Sequence, residues 1–198
     1  MDKSILGLFI FINMRIIAGE YKGHRLFSPS NREIRPTTDR VREVCFAILG
    51  ENIRDAFVLD LFAGSGGFGI EAKSRGAHKV VFVDKSFSSI QLLQKNLSKV
   101  RFDDAIVIKK PALAMLKMKT FHNSRFDLVF CDPPYHFKQM AQVVDELHRN
   151  HMLAYGGLLI YEHSCKYSPS LPHVRETRMK TLGDTCLTFY RYDHGKDT

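Results

Sequence analysis

The four cysteines, Cys45, Cys131, Cys165 and Cys186, stand far apart, and none forms a C-x-x-C pair. Among nine histidines only His148 and His151 are closely spaced, with no cysteine beside them. That spacing excludes the usual zinc sites, so no metal is expected. Cys45, Cys131 and Cys186 lie in apolar surroundings and are expected to be reduced, buried thiols. Low-complexity tracts, like-charge blocks and internal repeats are also missing, which argues against disordered or solenoid classes. No apolar run is long enough to span a bilayer. The best candidate, ILGLFIFI within Ser4–Ile12, is far too short and has no clean cleavage site after it, so no membrane role is expected. Met14 opens a segment of ordinary character, so translation is expected to start there, or residues 1–13 to be a dispensable arm.

What is present suits one well-cored domain with a small appendage, which is what 198 residues allow. Net charge is +8, unevenly placed. Lys85 to Arg125 holds nine Lys/Arg against Asp103 and Asp104, and Met14 to Arg42 holds seven against three acids. Such stretches suit either a polyanionic partner, through counterion release, or a solubilising surface.

From Ala56 onward, apolar β-type runs alternate with amphipathic stretches. The runs are FVLDLF, VVFVD, AIVIK, FDLVFCD and GGLLIYE. Helical spacing lies between them at Gly67–Arg75, Phe87–Val100, Leu113–Met118 and Phe137–Leu147. Near-continuous apolar strands separated by helices predict a parallel sheet covered on both faces. Val174–Lys180 and Thr185–Tyr192 flank the turn signal LGD and predict an antiparallel edge. Upstream, RIIAG and YKGHRLF predict a hairpin. A helix follows from Thr38 or Asp39, with Val41, Val44, Cys45, Ile48 and Leu49 as its apolar face. The domain division expected is 1–13, 14–55 and 56–198.

Two motifs carry chemistry. Gly64, Gly66 and Gly69 satisfy G-x-G-x-x-G at a strand-to-helix junction, and Asp84 follows Gly64 by twenty positions at the next strand's end. A dinucleotide and S-adenosylmethionine both carry adenosine, so both ligands fit this much. A P-loop does not fit, because no Gly-Lys-Ser/Thr follows. Asp60, placed before the glycines, gives a pyrophosphate nothing, whereas it suits the ammonium and sulfonium of S-adenosylmethionine. The second motif is Asp132-Pro133-Pro134-Tyr135, ending the fourth strand. An exocyclic base amine is a poor nucleophile, because its lone pair is delocalised into the ring. A carboxylate at Asp132 and the carbonyl of Pro133, stiffened by Pro134, can hold it pyramidal, and Tyr135 offers a ring for an extruded base. This tetrapeptide serves a methyltransferase. A DNA adenine-N6 methyltransferase would share it but usually needs a separate target-reading region, and a dinucleotide oxidoreductase would not use it.

With both motifs in place, the chain resembles the RsmD family of 16S ribosomal RNA guanine-N2 methyltransferases. The likeness runs through MRIIAGEYKGHRL, RPTTDRVREVCFAIL, DLFAGSGGFGIEAKSRGA, VVFVD, FDLVFCDPPY, GGLLIYE and MKTLGDTCLTFYRY. It implies a Rossmann-like class I α/β fold: a mostly parallel seven-stranded sheet with an antiparallel edge and a small N-terminal hairpin and helix. It also implies S-adenosylmethionine as methyl donor, and 16S ribosomal RNA in a small-subunit assembly particle as substrate, with a monomeric enzyme in the cytoplasm. By motif, Asp60, Phe62, Ala63, Gly64, Ser65, Gly66 and Lys85 would line the cofactor site, with Asp84 at the ribose. Asp132, Pro133, Pro134 and Tyr135 would act on the amine. Arg15, Lys22, Arg25, Arg35, Arg40 and Arg42 could grip RNA, although Arg40 and Arg42 could instead hold the N-terminal helix against the pocket. The sequence departs from the family at Lys110-Pro111-Ala112-Leu113, where proline replaces the usual acid near the adenine. It departs again at Asp84, where glutamate is common.

Overall fold

A computed structural model describes residues 14–28, 39–134, 136–167 and 169–193. Residues 1–13, Arg35, Thr38 and Tyr135 lie outside these. The strands are β1 (Met14–Arg15), β2 (Arg25–Leu26), β3 (Phe57–Asp60), β4 (Lys79–Asp84), β5 (Ile106–Lys109), β6 (Phe126–Cys131), β7 (Leu153–Ser164), β8 (Val174–Leu182) and β9 (Thr185–Tyr192). The helices are α1 (Asp39–Leu49), α2 (Gly67–Ser74), α3 (Phe87–Lys99), α4 (Ala112–Leu116) and α5 (Met140–Arg149).

Seven strands form one sheet in the order β5-β4-β3-β6-β7-β9-β8. The first five are parallel, while β9 runs antiparallel to both β7 and β8. Alternation along each buried strand sends residues to two cores. Val58, Phe82, Leu128, Phe130 and Ile160 meet α1, α2 and α3. Leu59, Val81, Val129 and Leu159 meet α4 and α5. Strand order reverses between β3 and β6, which is where an open α/β sheet leaves a crevice at its carboxyl edge.

The N-terminal hairpin lies along α2. The buried Glu71 carboxylate accepts the N–H groups of Ile17 (2.8 Å) and Ala18 (3.1 Å), and Arg75 donates to the same carboxylate at 2.7 Å. Ser74 Oγ donates to the Ala18 carbonyl at 2.6 Å and accepts the Tyr21 N–H at 3.0 Å. At the other end, Arg42 donates to the carbonyls of Arg15 and Gly67. The hairpin's open end is therefore at the carboxyl edge of the sheet. Its tip is farther off by the length of α2, roughly 12 Å at 1.5 Å per residue.

Several sequence expectations shift. The α1 core face is Val41, Arg42, Cys45, Phe46 and Leu49. Val44 and Ile48 are only half-buried. Gly156-Gly157 does not begin a strand; it forms an irregularity inside β7, with Gly156 at φ 74 and the register to β6 shifting between Phe126 and Leu128. The helix expected from Phe137 starts at Met140, because Phe137 N–H closes a turn onto the Pro134 carbonyl at 2.8 Å. Cys186 is not a reduced thiol: it is bonded to Cys165, with Cα atoms 4.9 Å apart. Antiparallel pairing puts His163 opposite Cys186, and Cys165, just past β7, turns back to donate its N–H to the Asp184 carbonyl. Cys45 and Cys131 are free and buried.

Candidate active site

The glycine turn is built between the ends of two strands. Leu61 N–H donates to the Phe130 carbonyl of β6 at 3.0 Å, and Ala63 N–H to the Val83 carbonyl of β4 at 2.9 Å. Gly64 N–H then donates to Asp84 Oδ2 at 2.8 Å, while Asp84 Oδ1 accepts the Ser86 N–H at 2.7 Å. Asp84 thus fixes the turn to the start of α3. Gly66 adopts φ 92, and a Cβ there would stand 2.5 Å from Leu93 Cδ1, so only glycine serves. At Gly69 a Cβ would lie 2.2 Å from the Phe82 ring, so its absence lets α2 settle on β4.

Asp60 ends β3, opposite Phe130, with its side chain on the α2 side of the sheet. It is buried, and its Oδ2 accepts the Gly69 N–H at 2.9 Å. Burial raises its pKa from the ordinary 3.8 to about 7. The Gly69 bond opposes that shift, while the carboxylates of Asp132 and Asp84 add to it. Asp132 follows β6 directly and is half-buried, as is Pro133, while Pro134 is exposed. Cys131, between them and the core, has its thiol pushed up by burial first and then by Asp60 and Asp132. The two motifs also touch: the rings of Phe62, in the turn, and Phe137, after the tetrapeptide, meet edge-on at 5.0 Å. Gly64 and Asp132 therefore open on the same edge, either side of the β3–β6 switch point. The arrangement gathers three carboxylates beside a turn of backbone N–H groups. A buried carboxylate crowded by two others is stabilised by a cation, and the amino-acid end of S-adenosylmethionine carries two cationic groups.

A family model described as conserved hypothetical protein 95 matches residues 14–191. A ribosomal RNA small subunit methyltransferase D from Haemophilus influenzae is 39% identical over 183 residues, covering 91% of this chain and 94% of that one. The chain belongs to the RsmD family. The solved structure of YhhF from Escherichia coli matches with a TM-score of 0.83 and 32% identity, over 92% of this chain and 99% of its own. A methyltransferase-fold structure complexed with SAH matches at TM-score 0.68 over 85% of this chain and 53% of its own; at 15% identity it speaks to the fold alone.

In this RsmD-family chain the other expected site residues are dispersed. Ala63 is buried, Phe62, Gly64 and Ser65 are half-buried, and Lys85 is exposed beside Asp84. Pro111 sets the first turn of α4, its carbonyl accepting the N–H groups of Ala114 and Met115. Arg15 is 69% exposed at the hairpin's open end, 3.4 Å from Asp39. Arg40 is exposed on α1, Arg25 on β2 and Lys22 near the tip. Arg42 is fully buried, its Nη1 donating to the Gly67 carbonyl and its Nη2 to the Arg15 carbonyl and, at 2.7 Å, to Asp39. It thus fastens α1 and the hairpin to α2 and presents nothing to a ligand outside. Sequence reasoning missed Glu71 and Asn96. Their signal was a polar residue on an otherwise apolar helix face. Among the described residues no cluster of three or more His, Cys, Asp or Glu could hold a metal, and no helix is long and apolar enough to cross a membrane.

Proposed function

We propose that the chain transfers the methyl group of S-adenosylmethionine to the exocyclic N2 amine of a guanine in 16S ribosomal RNA. The observation that carries this reading is the placement of Asp132 beside the glycine turn at one switch point. Family membership gives the substrate class, since the Haemophilus relative is named for small-subunit ribosomal RNA. When bound, S-adenosylmethionine supplies an electrophilic methyl carbon on a sulfonium.

The chain's residues do the positioning. Asp60 and the turn from Phe62 to Gly66 hold the amino-acid end, and Asp84 and Lys85 the ribose. The Asp132 carboxylate and the Pro133 carbonyl accept hydrogen bonds from the guanine NH2 and keep its nitrogen pyramidal, with Pro134 stiffening that carbonyl. Tyr135 provides the stacking ring. The sulfonium would supply its methyl group to the nitrogen lone pair that Asp132 and Pro133 aim, leaving as S-adenosylhomocysteine, and the proton lost from nitrogen would pass by way of the Asp132 carboxylate to solvent. Rate enhancement comes from orientation and fixed dipoles, with no strong base required.

Residues 56–198 form the transfer domain in this reading, and 14–55 its RNA-facing appendage. Arg15, Lys22, Arg25, Arg35 and Arg40 contact phosphates. The enzyme works as a monomer in the cytoplasm on a small-subunit assembly particle. The test is methyl transfer from labelled S-adenosylmethionine to 16S RNA or small-subunit particles. Wild type labels guanine, and Asp132→Ala, folded by circular dichroism, loses at least roughly a hundredfold in rate. Full activity in that variant overturns the role of Asp132. Transfer to unmethylated DNA in place of RNA overturns the substrate.

A further inference from the structure

We propose that Asn96 is a positioning residue for methyl transfer, holding the glycine turn and the arm that leaves β2 at Phe27 in one fixed relation. This rests on the reading that the turn binds S-adenosylmethionine. Asn96 lies in α3 on the same face as Leu93 and Leu97 and is fully buried. A buried carboxamide on an apolar face must satisfy its polar atoms within the protein. Asn96 does so with two segments far away in sequence. Its Nδ2 donates to the Ser65 carbonyl at 2.8 Å and to the Phe27 carbonyl at 2.9 Å, and its Oδ1 accepts the Phe27 N–H at 2.7 Å.

Each contact has a consequence. The Ser65 carbonyl belongs to the peptide plane joining Ser65 to Gly66. With φ at 92 and no side chain, Gly66 gives that plane little resistance to flipping. Two bonds oppose a flip: Gly66 N–H to the Ala63 carbonyl at 2.7 Å, and Asn96 to the Ser65 carbonyl. A flip would also turn Gly66 N–H away from Ala63, so Asn96 sets which way the turn presents its polar groups. The paired bonds to Phe27 are those a neighbouring strand would make, and they fix the arm beside the turn. One side chain thus couples the shape of the cofactor turn to the seat of the arm.

The test compares wild type with Asn96→Asp, Asn96→Ser and Ser74→Ala. S-adenosylhomocysteine binding is measured by calorimetry, and KM and kcat with 16S RNA. Asn96→Asp keeps the shape and the Phe27 N–H bond but sets oxygen against two carbonyls. Asn96→Ser is too short to reach either segment, and it carries the test should the aspartate variant fail to fold. Ser74→Ala loosens the hairpin near its tip, far from the turn. In both Asn96 variants, cofactor affinity is expected to weaken by roughly tenfold, with KM for S-adenosylmethionine rising equally and kcat at saturation within about twofold. Ser74→Ala lowers Tm and leaves KM unchanged. Wild-type affinity and KM in the folded Asn96 variants overturn the proposal. So does an equal KM rise in Ser74→Ala, which would mean general loosening. If wild type itself binds no S-adenosylhomocysteine, the cofactor reading fails and takes the proposal with it.

Discussion

Asp60 shows how much a single residue's environment decides. In the unfolded chain its carboxyl ionises near the ordinary 3.8, whereas in the fold that rises to about 7. The folded state therefore holds its proton where the unfolded state has already lost it. The stability this residue contributes is fully present below pH 3.8 and is lost as pH rises to about 7, staying level above. Asp60→Asn should flatten the dependence of urea stability on pH across that window. A cation bound beside Asp60 favours the carboxylate, so S-adenosylhomocysteine affinity should fall as pH drops below about 7. Calorimetry in buffers of different ionisation enthalpy should register proton release near pH 6.5, and the Asn variant should release none. An affinity indifferent to pH would count against Asp60 as the cofactor's partner. Gly69→Ala tests packing at the same corner. Its Cβ would enter the buried Phe82 ring, so we expect a loss of about 1–3 kcal/mol by urea denaturation. The glycine turn and the Asp132-Pro133-Pro134 strand end were legible as places in the fold, because each directly follows an apolar β-type run. Arg42, Glu71 and Asn96 were not, because their meaning depends on partners 25 to 69 residues away. Arg42 in particular could be read as an RNA contact or as a fastener, and only its burial separates the two.

At the scale of elements, alternation of apolar strands and amphipathic helices was enough to place the parallel sheet and its antiparallel edge. Boundaries were less readable where backbone geometry overrides pattern. Gly156-Gly157 looks like a strand start, yet β7 begins at Leu153 and absorbs the glycines as an irregularity. The late start of α5 follows from the turn that Phe137 closes onto Pro134, and that turn is what brings Phe137 to Phe62. The Cys165–Cys186 bond was hidden by a separation of 21 residues and emerges only from the β7–β9 register. The hairpin's two-residue strands are too short to stand alone, so α2 must hold it. Gly19 makes this testable: it has φ 85, and a Cβ there would lie 1.7 Å from the Ser74 carbonyl oxygen. In Gly19→Ala, hydrogen exchange at Ile17 and Ala18 should accelerate while Leu59 and Val129 in the sheet stay protected. Unchanged protection at Ile17 would mean that Glu71 alone seats the hairpin.

For the molecule as a whole, an excess of eight positive charges accompanies a sheet edge that carries the carboxylates of Asp60, Asp84 and Asp132. In the proposed reading the two signs have separate tasks: acids face a cationic methyl donor, while exposed arginines around the hairpin and α1 face phosphates. Arg15, at the hairpin's open end, should matter more than Lys22 at its tip. Arg15→Ala should reduce the slope of log affinity for 16S RNA against log salt by about 1. Lys22→Ala, at the distant tip, should change it less, and equal slopes in the two variants would contradict that placement. If the sheet edge at Asp60 and Asp132 brings a methyl donor to a guanine amine in 16S RNA, the RNA itself must carry the mark, and mass mapping of 16S RNA from cells with and without this gene reads it. One guanine should lose a single N2 methyl group when the gene is absent and regain it on complementation with wild type but not with Asp132→Ala. Identical 16S RNA maps in both strains would contradict it.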